Sequence, residues 1–277
     1  MILAWILGCA PSLEPATGSL SAITYNVHGL PPEITGDDTA SRLVAIGPLL
    51  PPFDIVGLQE DFDDENHAAL VASVDHPTQV RFAEALADRV YGSGLAVLSH
   101  LAEESHFQEH YEDCNGVLDS ASDCLASKGF QVVRLELAPG ATVDVYNTHL
   151  EAGGGTEDHA ARTQHVQQLL DSLANRSADR AVIFLADTNL HASDALDAPL
   201  LTQLLEEGGL VDSCAEVGCA EPDHIDRILI RNSTEVSLQV SGWEVRPEFV
   251  DGEGMDLSDH PAISAAMDWA YDPENQR

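Results

Sequence analysis

Residues able to hold a cation or move a proton recur at one kind of position in this chain. "ITYNVHG" ends in Asn26 and His28, and "DIVGLQED" in Gln59, Glu60 and Asp61. "DVYNTHLEAG" supplies Asn147, His149 and Glu151, and "VIFLADTN" supplies Asp187 and Asn189. Each set follows an apolar, strand-like run. Two more segments extend the theme: "HIDRILI" opens on Asp226, and "LSDHPAIS" sets Asp259 beside His260. Carboxylates at the edges of buried segments are costly unless they are paired or bound to metal.

By type, Asn26, Glu60, Asp187, Asn189 and Asp259 are hard oxygen donors, and His149 and His260 are imidazoles. Oxygen donors with few histidines and no thiolate suit Mg²⁺, or else Mn²⁺ or Ca²⁺, better than Zn²⁺. An imidazole beside such an ion can take a proton from water or serve a leaving oxygen. Charge neutralisation by the ion, activation of water and a donor for the developing charge would together hydrolyse a phosphate ester. Other chemistries lack their parts. No serine sits in a nucleophile-elbow context, and "EAGGGTED" lacks the lysine of a phosphate-binding P-loop.

Strands must carry these residues to one place. "SAITYNV", "FDIVGLQE", "SGLAVLSH", "FQVVRLEL", "TVDVYNTHL", "RAVIFLADTN", "HIDRILI" and "AISAAMDW" all read as strands. Helical patterns fall between some of them. In "TEDHAARTQHVQQLLDSLAN", Val166, Leu169, Leu170 and Leu173 share a face, with Thr156 as expected N-cap and Glu157 and Asp158 in the first turn. "DDTASRLVAIGPLL" and "DAPLLTQLLEEGG" predict two more helices, and "EDFDDEN" reads as a helix start. The mixture predicts a layered α/β protein whose chemistry gathers at sheet-end loops.

The 277 residues include 12 basic and 47 acidic ones, a net charge of −35, so a polynucleotide substrate is disfavoured. The opening "MILAWILGCAPSLEPATGS" has an apolar run too short to span a bilayer and without a preceding Lys or Arg. It resembles the end of a bacterial lipoprotein signal, which implies Cys9 as the lipid-bearing residue. Residues 1–20 are therefore expected to be an export segment and tether, and 21–277 a catalytic domain. The other four cysteines form two local pairs, Cys114 with Cys124 and Cys214 with Cys219, expected as disulfides of an exported protein in the cell envelope or secreted.

The ordered series "YNVHGLP", "DIVGLQED", "GLAVLS", "KGF", "NTHLEAG", "LADTN", "DHIDRILI" and "SDHPAI" resembles the endonuclease/exonuclease/phosphatase superfamily from Ile23 to Ile263. The resemblance implies a four-layered α/β sandwich, two packed mixed β-sheets flanked by helices, that hydrolyses phosphodiesters with a metal ion. It implies Glu60 and Asn26 at the metal with Asp259 close by, and Asp187 and Asn189 at the attacking water. It further implies His260 as general base oriented by Asp226, and His149 at the phosphate. Asn147 and Lys128 are expected at the substrate. "DCLASKGFQVVRLEL" followed by "VDVYNTHLEAG" is most similar to bacterial neutral sphingomyelinases, through the step Lys128-Gly129-Phe130. That similarity implies a phosphodiester substrate such as a choline phospholipid, acted on by a monomer. The interval 233–258, where haemolytic members carry a membrane-inserting aromatic hairpin, offers only Trp243 and Phe249 as large rings. A deoxyribonuclease-like endonuclease and an inactive surface binding protein are the alternative readings.

Overall fold

A computed structural model of the chain describes residues 13–116, 123–220 and 223–276. In chain order it runs β1 (Ala16–Asn26), α1 (Pro32–Thr35), α2 (Thr39–Ile46), β2 (Ile55–Gln59), α3 (Asp64–Val71), β3 (Thr78–Phe82) and β4 (Leu95–Ser99). Next come β5 (Ala102–His110), β6 (Gly129–Ala138), β7 (Ala141–His149), α4 (Thr156–Arg176), β8 (Ala181–Asp187) and α5 (Asp197–Gly208). The chain continues through β9 (Val211–Asp212), α6 (Ser213–Val217), β10 (Asp226–Arg231), β11 (Val236–Val245) and β12 (Ile263–Tyr271).

The strands form two six-stranded sheets, in the orders β11-β12-β1-β2-β4-β3 and β5-β6-β7-β8-β10-β9. Each has one parallel pair at its centre, β1 with β2 and β7 with β8, and antiparallel neighbours elsewhere. The two halves thus repeat one topology, although the sequence shows no repeat. Between the sheets lies an apolar layer that includes Ile55, Val97, Val143, Ile183, Leu185, Ile228 and Met267. Leu43 and Ile46 of α2 and Leu70 of α3 cover the outer face of the first sheet, against Tyr25, Val56, Leu58 and Leu98. Leu169 and Leu173 of α4 and Leu200 and Leu204 of α5 cover the second, against Tyr146, Val182 and Phe184. This is the expected α/β/β/α sandwich. Strands clothed on both faces become continuous apolar runs, which is why β4 and β8 are buried at every position.

One local expectation changes, the N-cap of α4, and two other segments gain detail. The first strand starts at Ala16 and pairs with β12 from its first residue. Helix α4 is capped by Gly155, one residue before the expected Thr156, and the Asp158 carboxylate accepts from the Gly155 N–H at 2.8 Å. The segment 233–258 contains β11, a full partner of β12. Phe249 packs edge-on against Tyr25 in the core, and Trp243 is half-buried beside His224, so neither ring forms an exposed hairpin. Both expected disulfides, Cys114–Cys124 and Cys214–Cys219, are formed. Cys9 lies outside the described residues. Among the described residues no helix is long and apolar enough to cross a membrane.

Candidate active site

The two parallel strand pairs end at the same edge of the sandwich. Asn26 closes β1 and Glu60 follows β2; His149 closes β7 and Asp187 closes β8. Register does the rest in the second sheet, where His149 is paired with Asp187 and Asp187 with Asp226. Three chemistry-bearing residues therefore stand in one cross-strand row, which a single-residue slip would turn to the opposite face.

Asp187 is the hub. Its Oδ2 accepts from Asn26 Nδ2 at 3.0 Å and lies 3.3 Å from His149 Nε2 and 3.7 Å from His260 Nε2. Burial pushes its carboxyl up. His149, His260, the Asn26 hydrogen bond and Lys128 outweigh that and hold it below the usual carboxylate range. The Asn189 N–H donates to Asp187 Oδ1 at 3.1 Å, and Asn189 Nδ2 to the Leu150 carbonyl at 3.3 Å. Lys128 is buried, donates to the same carbonyl at 2.7 Å and lies 3.4 Å from His149 Nε2.

His260 and Asp226 form a dyad at 2.8 Å between Nδ1 and Oδ2. Burial opposes the imidazolium, but the Asp226 hydrogen bond and the fields of Asp187, Asp226 and Asp259 raise His260 to about 10. Asp226 itself is raised to about 6, by burial first and by Asp187 second, against the pull of His260. One donor atom from each of Asp187, Asp226 and His260 lies within 4.8 Å of the others. The 2.8 Å bond commits two of those groups to one another, which argues for a proton-handling dyad in preference to an ion cage.

The residues expected to hold a cation stand opposite. Glu60 Oε1 accepts from Asn26 Nδ2 at 3.0 Å, while Glu60 Oε2 is buried and has no hydrogen-bond partner. An orphaned carboxylate oxygen among further oxygen donors is what a hard divalent cation would satisfy. The donor set fits the expected ion. His28 Nδ1 lies 3.2 Å from Asp259 Oδ1 and 4.0 Å from Glu60 Oε2. Asp259 is 59 % exposed, so it borders the cleft, whereas Glu60, 15 % exposed, lies further in.

The backbone is bent to this purpose. Among the described residues, the non-glycine positions with positive φ are His28 (50°), Glu60 (60°) and Asn189 (48°), each just beyond a strand that feeds the cleft. Such conformations cost roughly 1–3 kcal/mol each and persist where their surroundings dictate them. A Cβ on Gly29 would meet the Glu60 carbonyl at 2.1 Å, so the His28 turn can lie against Glu60 only with glycine next to it.

Sequence reasoning missed the supports. Arg42 of α2 donates to the carbonyls of Val27, His28 and Leu257, at 3.1, 2.7 and 2.8 Å, and so ties the turn after β1 to the segment carrying His260. Ser258 Oγ donates to the Asn26 carbonyl at 2.7 Å and accepts from the His260 N–H at 3.2 Å. Neither residue sits in a strand-exit pattern, so no local signal marks it. His28 does sit in one. Asn147, expected at the substrate, belongs elsewhere: it is fully buried, donates to the carbonyls of Leu58 and Ala96 and accepts from Gln59 Nε2 at 2.7 Å. It joins the two sheets because an inward-facing amide between them must satisfy all its donors and acceptors there.

Residues 23–260 match the Endonuclease/Exonuclease/phosphatase family over most of the chain. The chain belongs to this family. It is 29 % identical over 272 residues to the sphingomyelinase of Mycobacterium tuberculosis, a match covering 90 % of this chain and 53 % of that protein. The chain therefore spans about half the length of the curated relatives it matches. The family's fold is equally plain in solved structures. Sphingomyelinase C from Streptomyces griseocarneus superposes with a TM-score of 0.67 at 21 % identity, over 90 % of this chain and 99 % of that one. The beta toxin of Staphylococcus aureus, in a crystal structure with bound magnesium ions, gives 0.66 at 17 % identity, over 90 % and 99 %.

Proposed function

We propose that this chain is a divalent-metal-dependent phosphodiesterase that cleaves a choline phospholipid of the sphingomyelin type by activated water. The observation that carries the reading is the convergence on Asp187 Oδ2 of Asn26, His149 and His260, from segments of both sheets. Asn26 and Glu60 would hold the cation, with Asp259 at the rim. Bound there, a divalent ion neutralises phosphoryl oxygens and, by its charge, lowers the proton affinity of His260.

The chain's own residues carry the proton. Asp187 and Asn189 orient a water near His260 Nε2, which takes its proton as the oxygen attacks phosphorus. Asp226 accepts the Nδ1–H, fixes the tautomer and stabilises the imidazolium that forms. His149, with the Lys128 cation beside it, hydrogen-bonds the phosphoryl group and supplies a proton to the departing alkoxide. Water adds, the phosphorus–oxygen bond to the alcohol breaks, and a phosphomonoester and an alcohol leave.

The choline lipid is supported by the relatives' printed activity, by the Lys128-Gly129-Phe130 step and by the charge of −35, which disfavours DNA. The test is parallel turnover of sphingomyelin, phosphatidylcholine, bis-p-nitrophenyl phosphate and plasmid DNA with Mg²⁺ or EDTA, His260→Ala serving as control. Cleavage of plasmid alone would replace the lipid by a nucleic acid. The disulfides suit an oxidising compartment, and export, acylation at Cys9 and a monomeric state complete the reading. Mass spectrometry of the membrane-associated protein and light scattering test these.

A further inference from the structure

Tyr111, just beyond β5, holds the Lys128-Gly129 step from two sides. Its N–H donates to the Lys128 carbonyl at 2.9 Å. Its phenolic oxygen lies 2.6 Å from Thr148 Oγ1, and Thr148 Oγ1 donates to the Gly129 carbonyl at 3.0 Å. A threonine hydroxyl has a single proton, here directed at Gly129, so the Tyr111 O–H is the donor of the first bond. Burial pushes the phenol well above its ordinary pKa, against the Thr148 hydrogen bond, so Tyr111 stays a neutral donor.

The surroundings hold this clamp still. Tyr111 and Thr148 are both buried. The Tyr111 ring stacks on His165 of α4 with centroids 3.9 Å apart and planes 8° from parallel, and it tilts against Phe130 at 5.9 Å. His165 is fixed in turn, its Nε2 meeting the Asp113 carbonyl at 2.8 Å. A Cβ on Gly129 would meet the Glu109 carbonyl at 2.3 Å, so the end of β5 can lie this close only to glycine.

The clamp sets the residues next to it in both strands. Lys128 precedes Gly129 and His149 follows Thr148, and the two side chains meet with Lys128 Nζ 3.4 Å from His149 Nε2. The register between β6 and β7 begins at Phe130 and Thr148, so Lys128 stands outside it. We propose that Tyr111 is a positioning residue that, through Thr148 and the Gly129 carbonyl, sets Lys128 against His149 for protonation of the departing alkoxide. The proposal rests on the phosphodiesterase reading, in which His149 serves the leaving oxygen. A proton donor matters most when the leaving group is a poor one. The clamp should therefore count for the alkoxide of a lipid and little for p-nitrophenolate, which departs without a proton.

Tyr111→Phe removes the hydroxyl and keeps the stacked ring, and Thr148→Val breaks the same relay at nearly constant shape. Steady-state kinetics of both variants and of the double variant, in the full chain with Mg²⁺, compare sphingomyelin with bis-p-nitrophenyl phosphate. On sphingomyelin kcat is expected to fall by about tenfold in each variant, with KM little changed and no further loss in the double variant. On bis-p-nitrophenyl phosphate the fall is expected to stay within about threefold. Equal losses on the two substrates, or full activity on sphingomyelin, would overturn the proposal. The imidazole nitrogen resonances of His149 are expected to move in Tyr111→Phe while those of His260 hold, and unmoved His149 resonances would remove the positioning role whatever the turnover. A wild type inactive on both substrates would instead overturn the phosphodiesterase reading, a result that the variants cannot mimic.

Discussion

Asn26 and Asp187, 161 residues apart in the chain, are joined by a 3.0 Å hydrogen bond from Nδ2 to Oδ2 that crosses from one sheet to the other. The same Nδ2 also donates to Glu60 Oε1 at 3.0 Å. One amide therefore fixes the distance between Glu60, on the proposed cation side of the cleft, and Asp187, on the proposed proton-moving side. Its carbonyl oxygen accepts from the His28 N–H, so the amide cannot flip without losing these bonds. The consequences divide by side.

On the proton-moving side, Asp226→Asn keeps the shape of the dyad and removes its charge. The amide can present an N–H to His260 Nδ1 and force the wrong tautomer. Turnover is expected to fall by about 10²- to 10⁴-fold with little change in KM. Steady-state kinetics check this, and unaltered kcat would remove Asp226 from the proposed mechanism.

On the cation side, Glu60→Gln removes the orphaned charge at little structural cost, since only Oε1 is hydrogen-bonded. The Mg²⁺ concentration needed for half-maximal activity is expected to rise by at least about tenfold, with the melting temperature in EDTA unchanged. An unchanged Mg²⁺ requirement would move the ion away from Glu60.

Stability of the metal-free protein should follow His260. Its pKa is raised from 6.5 to about 10, so its contribution is complete below pH 6.5 and is lost as pH rises through 10. Asp226 is also raised, from 3.8 to about 6, and its share is already gone by then. The stability difference between wild type and His260→Ala in EDTA is expected to shrink from pH 6.5 to 10. Denaturant unfolding at several pH values measures it; a constant difference would contradict the assignment.

The turn after β1 offers a test without any titratable change. Gly29→Ala places a methyl 2.1 Å from the Glu60 carbonyl, so the backbone must move. Activity is expected to drop by about tenfold or more while most of the fold, held by the cores behind both sheets, persists. Circular dichroism and the Mg²⁺ dependence of turnover separate the two effects.

How far the sequence could be read follows from what is local. Glu60, His149 and Asp187 were visible because each ends or follows a short apolar run, and His260 because it stands just before one, at strand ends where α/β folds gather their chemistry. The buried strands were visible because β2, β4 and β8 are apolar up to their last residues, Gln59, Ser99 and Asp187. Strand β5, "AEESHFQEH", was not. It is an exposed edge whose acidic side chains resist pairing with another chain, and so it lacks apolar alternation. Arg42 and Ser258 act through backbone carbonyls from distant elements, which no spacing records. Asn147 misled because one polar residue near a strand end can face the cleft or the opposite sheet, and only register decides which.

That distinction for Asn147 is open to measurement. Asn147→Ala would remove the side-chain hydrogen bonds to the carbonyls of Leu58 and Ala96 and the one from Gln59 Nε2, which would keep only Thr24 Oγ1. Three buried hydrogen bonds at about 1 kcal/mol each make a loss of roughly 3 kcal/mol the expected outcome. The substrate-binding role expected from the sequence makes the opposite forecast, a raised KM with stability intact. Urea unfolding and steady-state kinetics on the same variant decide between them. A fully stable Asn147→Ala protein with weakened substrate binding would return Asn147 to the cleft.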